Sequence, residues 1–179
     1  MLQPVTYPED WPELSKDNIF RSQAERLKMA ESYKKLPQTT RFHDGLNSTG
    51  VFMTASTLSG QDSTGVNDGS KTTTLVTYLA DAWNWGADLF CECEVRHITE
   101  AEGRPGYIVY FTRHIPGHTR SSDPSPWDLM WVYAKECVFF GAGAVGTTEI
   151  LLRSKAMGLR MSRQIGKNMS DNGDMIAIG

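Results

Sequence analysis

Apolar residues fall at helical spacing in two segments of the chain, and three strand-like runs follow them. Over residues 17–35, Ile19, Phe20, Ala24, Leu27 and Ala30 recur near helical spacing, with Ser15 or Asp17 placed to cap the start. Pro37 blocks continuation, because it lacks a backbone N–H and clashes with the preceding turn. Over residues 72–85, Leu75, Val76, Leu79, Ala82 and Trp83 form one apolar stripe. Ser70 is placed to cap that helix, and Gly86 suits the left-handed position beyond its end. Between the helices, residues 38–70 are rich in Thr, Ser, Gly, Asn and Asp, with only short apolar pairs such as Val51-Phe52. A polar stretch of that length inside a compact domain reads as a functional loop or a cover.

The strand-like runs span residues 89–98, 107–115 and 129–140. Their links, EAEGRPG and GHTRSSDPSPWD, are short and contain Gly and Pro, which predicts an antiparallel meander. The third run ends in CVFF, enters GAGAVG and continues as TTEILLRSKAMG, a strand–turn–helix in which Ile150, Leu151 and Ser154 can face the sheet. The expected class is therefore mixed α/β, in three parts: a helical segment 1–38, a loop-rich covering segment 39–71, and a third part 72–179.

Gly141, Gly143 and Gly146 fit G-x-G-x-x-G between a strand and a helix, the setting of a dinucleotide-binding turn. Small residues let the backbone approach a diphosphate, and a helix N-terminus presents unpaired N–H groups. Two features oppose that role. Glu149 is expected in the first helical turn, where it would repel a diphosphate. The acidic residue expected some 20 positions on falls in a polar loop, at residues 166–174, instead of ending a strand. Close packing of strand against helix is the other use of such glycines.

Composition narrows the function classes. The 179 residues are 40% hydrophobic and 22% charged, as in ordinary globular proteins. A net charge of -3 without a Lys/Arg run gives no electrostatic case for nucleic acid. No run of about 18 apolar residues marks a membrane span, and the acidic, Pro-rich start has no signal-peptide pattern, so a soluble cytoplasmic protein is the default expectation. Cys91, Cys93 and Cys137 are too few for a disulfide framework, and Cys91-x-Cys93 has no second ligand pair at zinc spacing. Cys91 and Cys93 are expected to be two buried apolar thiols. His43 lies in a polar loop, His97 and His114 on neighbouring strands as paired surface positions, and His118 in a turn. None sits with a Ser or Cys in a nucleophile–base arrangement, so no catalytic residue is assigned.

Three blocks together resemble the glucose-methanol-choline (GMC) family of FAD-dependent oxidoreductases, nearest its cholesterol-oxidase-like branch. GSKTTTLVTYLADAWNWGADLFCECEVRHI resembles a helix-then-strand segment of that family. CVFFGAGAVGTTEILLRSKAMGL resembles its second glycine-rich strand–turn–helix, and IGKNMSDNGDMIAIG the loop that follows. Order and spacing agree over roughly residues 39–179. The resemblance implies part of an FAD-binding Rossmann-like domain with an antiparallel meander. It places Val95 where a backbone contacts the flavin adenine, Gly141 and Gly143 beside the adenosine half, and Gly146 at the helix opening. Asn172, Gly173 and Asp174 match the loop that approaches the flavin end. It implies oxidation of an alcohol, with a sterol as one substrate class, by hydride transfer to the flavin. No protein partner is implied.

Departures from the family bear on what this chain does alone. Thr147-Thr148-Glu149 replaces the common Ser-Pro, which favours the cholesterol-oxidase-like branch. There is no N-terminal strand with the diphosphate-binding G-x-G-x-x-G, and the catalytic His and Asn of the family belong to a C-terminal portion not reached here. The expectation is an internal piece that holds flavin poorly and is inactive by itself. The alternative is a small non-catalytic α/β module binding a nucleotide through residues 141–146.

Overall fold

The computed structural model describes residues 4–61, 64–114, 128–170 and 173. It is mixed α/β, with helices and two small open antiparallel sheets, and it divides into two compact units, Met1–Leu89 and Phe90–Gly179.

In the first unit, helix α1 (Ser15–Arg26) is shorter than the 17–35 periodicity predicts and buries none of its residues. Neither Ser15 nor Asp17 caps it. The N-cap is Leu14, without a side-chain bond. Lys28 stops it by adopting φ 58°, with Met29 N–H donating to Ala24 O at 2.8 Å and Lys28 N–H to Glu25 O at 3.0 Å. Those two bonds are the Schellman closure, which satisfies the last helical carbonyls. A 3-10 turn at Ala30–Ser32 follows, and Tyr33 returns its hydroxyl to the Asp17 carboxylate.

The polar stretch is held by side chains in place of long strands. Strands β1 (Gly45–Leu46) and β2 (Phe52–Met53) form a two-residue ladder. Buried Asn47 ties its loop: Oδ1 accepts from the N–H of Thr49 and Val51, and Nδ2 donates to Val76 O at 2.7 Å. The Thr49 hydroxyl donates to the same Val76 carbonyl at 2.8 Å. That carbonyl lies in a π-helical turn, Leu75–Leu79, leading into α2 (Ala80–Asn84). The two outside donors offer it partners beyond the helical ladder, a known cause of ladder irregularity. Ser70, expected as the cap, is fully buried and donates to Asp68 Oδ1 at 2.6 Å. A small aromatic core closes the unit, with Tyr7, Trp11 and Phe42 meeting edge to face at 5.0–6.1 Å.

The 75–83 stripe does not face that core. Leu75, Leu79 and Trp83 are exposed, and Thr77 is the buried residue of the turn. Its amphipathic period forms the helix, but the apolar face is not covered among the described residues.

In the second unit, β3 (Cys93–Glu100), β4 (Tyr107–Arg113) and β5 (Leu129–Ala134) form the expected antiparallel meander, in that order. The ends differ from the apolar runs for local reasons. Glu92, at φ 57°, breaks the first run before Cys93. The third run loses its partner where β4 begins, since Tyr107 pairs with Ala134, so residues 137–140 pair with no strand among the described residues. Gly106 allows the β3–β4 link to return close to β5: it has φ 104°, and a Cβ there would lie 2.3 Å from Ala134 O. Helix α3 (Gly143–Ala156) packs on β3, and Ile98 beneath it is 2% exposed. Ser154, fully buried, accepts from Ile98 N–H at 2.9 Å and donates to Ile150 O at 2.7 Å. This is the sheet-facing role expected of Ser154.

Candidate functional site

The glycine turn leads from the unpaired segment 137–140 into α3. Helix α3 starts at Gly143, whose φ of 73° is a backbone state that side chains rarely adopt. A Cβ at Gly141 or Gly143 would meet nothing within 4 Å, so the backbone there lies open and is not a packing contact. Gly146 differs, since a Cβ would stand 3.3 Å from that of Ala142. Ala142 caps the helix without a side-chain bond, so the first N–H groups of α3 stay available to a ligand or water.

The early start of α3 corrects the position of Glu149. It lies in the second turn, not the first, and its carboxylate is paired with Arg153 four residues on. The repulsion expected toward an anion at the N-terminus is therefore reduced twice, by distance and by pairing.

Val95 is half-buried on β3 opposite Phe111. The pairing slips between Val95 and His97, a bulge that leaves Arg96 as the extra residue. The strand carrying Val95 and the helix opened by Gly143 are the two elements that Ser154 and Ile98 join. Of the downstream loop, Gly173 is exposed with φ 77°, while Asn172 and Asp174 lie outside the described residues, as does His118.

One cluster at the bulge escaped the sequence reading. Glu94 accepts from Arg96 Nη1 at 2.6 Å and lies 2.7 Å from His114 Nε2. Burial pushes the Glu94 carboxyl up, but hydrogen bonds and positive charge from His114 and Arg96 outweigh it and hold the group below its ordinary range. The Glu-x-Arg spacing on one strand is visible in the sequence, but the partner His114, just past the end of β4, depends on register. His97 and His114 do not pair with each other. His97 stacks on Tyr110, with centroids 4.5 Å apart, and its pKa is lowered by burial and then by the charges of Arg96 and Arg153.

Cys91 and Cys93 also depart from expectation, since Cys91 is exposed and Cys93 only half-buried; Cys137 is exposed as well. Among the described residues, no group of three or more His, Cys, Asp or Glu side chains is placed to hold a metal ion. A cavity of about 590 Å³ in the second unit lies at the C-terminal end of α3, bordered by Glu100, Tyr110, Trp131, Met157 and Leu159, and does not include the glycine turn. The first unit has a cleft of about 330 Å³ beside Val5, Arg41, Phe42 and His43. No helix among the described residues is long and apolar enough to cross a membrane.

No protein-family model, curated protein or solved structure matches this chain.

Proposed function

We propose that this chain forms part of the flavin wall of an FAD-dependent oxidoreductase of the GMC type, in a Rossmann-like setting, acting on an alcohol or sterol. The open glycine turn, residues 141–146, carries the reading. It joins an apolar, strand-like segment to a 14-residue helix whose first N–H groups are uncapped, and its backbone at Gly141 and Gly143 is unobstructed. That arrangement fits the adenosine and diphosphate half of FAD, which needs close backbone approach and positive potential. Val95 would offer backbone contacts to the adenine from an edge strand, and Asn172, Gly173 and Asp174 would extend toward the flavin ring.

FAD, when bound, supplies the hydride acceptor, and the protein's part is to bind and orient it. Within this chain the roles are binding roles, and no residue is assigned to the proton transfer. The exposed Phe139 supports the same reading. Residues 137–140 are mostly apolar and pair with no strand among the described residues, which fits a strand that belongs in a parallel sheet.

Amide NMR during titration with FAD, ADP, ATP and NAD tests this. FAD and ADP are expected to shift the signals of Val95, Gly141, Gly143 and Gly146, and Gly143→Val to abolish those shifts. Unmoved signals at millimolar FAD would defeat the proposal. Tighter binding of ATP or NAD than of FAD would transfer the site to a non-catalytic nucleotide-binding module.

A further inference from the structure

Cys91 and Cys93 flank Glu92 at the entry to β3, and the chain bends between them. Glu92 has φ 57°, in the left-handed region that a side chain disfavours. The bend is braced from the residue that follows β4, since His114 N–H donates to Glu92 O at 2.7 Å. The consequence is a distance. An extended middle residue would hold the two Cα atoms about 6.6 Å apart, two strand rises of about 3.3 Å. A helical middle residue of either hand brings them to about 5.4 Å, given Cα steps of about 3.8 Å. Disulfide-linked Cα atoms most often stand about 5.5–6 Å apart. The turn thus moves the pair from the far edge of the disulfide range to near its centre. Access is also provided, because Cys91 is exposed and Cys93 half-buried.

From this geometry we infer that Cys91 and Cys93 form a dithiol site for thiol–disulfide exchange with a small-molecule disulfide of the glutathione class. The Cys91 thiolate, the more exposed, attacks one sulfur of the reagent. The reagent's S–S bond breaks, and one thiolate leaves and is protonated by water. The Cys93 thiolate then attacks the Cys91 sulfur of the mixed disulfide and expels the second thiolate. The Cys91–Cys93 bond forms, the two cysteines lose two electrons and two protons, and the reagent becomes two thiols. A reducing thiol reverses both steps. Cys137 is also exposed but has no neighbouring cysteine in sequence, so it stops at the mixed disulfide.

The test treats the full chain with oxidised glutathione at neutral pH, alkylates the remaining thiols and maps the products by mass. A native chain is expected to show a Cys91–Cys93 link, with glutathione or the alkylating label only at Cys137. Cys91→Ser and Cys93→Ser should each arrest as a glutathione adduct at the surviving member of the pair. Glu92→Gly, which keeps the left-handed turn without strain, should retain the link. In urea the link should form at least about tenfold more slowly, since closure then depends on chance encounter. Native chains carrying adducts at both Cys91 and Cys93 without a link would overturn the inference. Equal rates in the native and urea-unfolded chain would overturn it too, because sequence proximity and not the Glu92 turn would then be responsible.

Discussion

Ser154 ties helix α3 to the meander: its hydroxyl supplies the partner that Ile98 N–H needs away from water, and itself donates to Ile150 O. Ser154→Ala would leave that buried N–H unpaired, at a cost of about 1–3 kcal/mol. The urea unfolding midpoint of the second unit should fall accordingly, and an unchanged midpoint would mean that water replaces the hydroxyl. Gly106 has a steeper expectation. Its φ of 104° and the 2.3 Å approach of a Cβ to Ala134 O leave no room for even the smallest side chain. Gly106→Ala should destabilise by at least about 2 kcal/mol, measured in the same way. That role was not legible beforehand: EAEGRPG reads as a turn, but which of its glycines meets another strand depends on where β5 returns. The same holds for Cys91 and Cys93, which flank a left-handed Glu92 that no propensity foretells.

At the scale of elements, the meander was legible because alternation and turn residues are local signals, whereas the strand ends were not. Strand β5 stops where β4 stops offering partners, and α1 stops at a Lys in a left-handed cap, so both ends are set by other residues. The histidines and carboxylates of the meander make a pH prediction with a definite sign. The folded His97 binds its proton less readily than the ordinary value of 6.5. The unfolded chain therefore takes up protons first, and this stability is present above about pH 6.5 and lost as pH falls through the folded value. Glu94, held below its ordinary 4.5, acts in the same direction at lower pH, where its stabilising effect is lost as pH falls through its own folded value. His97→Phe preserves a ring against Tyr110 while removing the first titration. The urea midpoint of the variant should be flat between about pH 7 and pH 5, where that of the native protein declines. A decline of equal slope in both would assign the acid sensitivity to other groups.

For the whole molecule, the informative feature is apolar surface left uncovered among the described residues. A repeating apolar face such as the 75–83 stripe normally finds a partner. A sequence pattern shows that a face is apolar without showing which surface meets it. Phe139 is the extreme case at 91% exposed, in a segment with the composition of a buried parallel strand and no ladder to join among the described residues. If that segment serves a sheet beyond the described residues, Phe139 contributes nothing to the stability of this chain. Phe139→Ser should then leave the unfolding midpoint within about 0.5 kcal/mol of the native value, as for other surface substitutions. The same change should reduce concentration-dependent self-association in sedimentation, since an exposed unpaired apolar strand seeks another edge. A loss of more than about 1 kcal/mol would show instead that Phe139 packs within the chain. The segment would then be a structural support for the glycine turn, and the reading of residues 137–140 as a strand of a parallel sheet would lose its main physical argument.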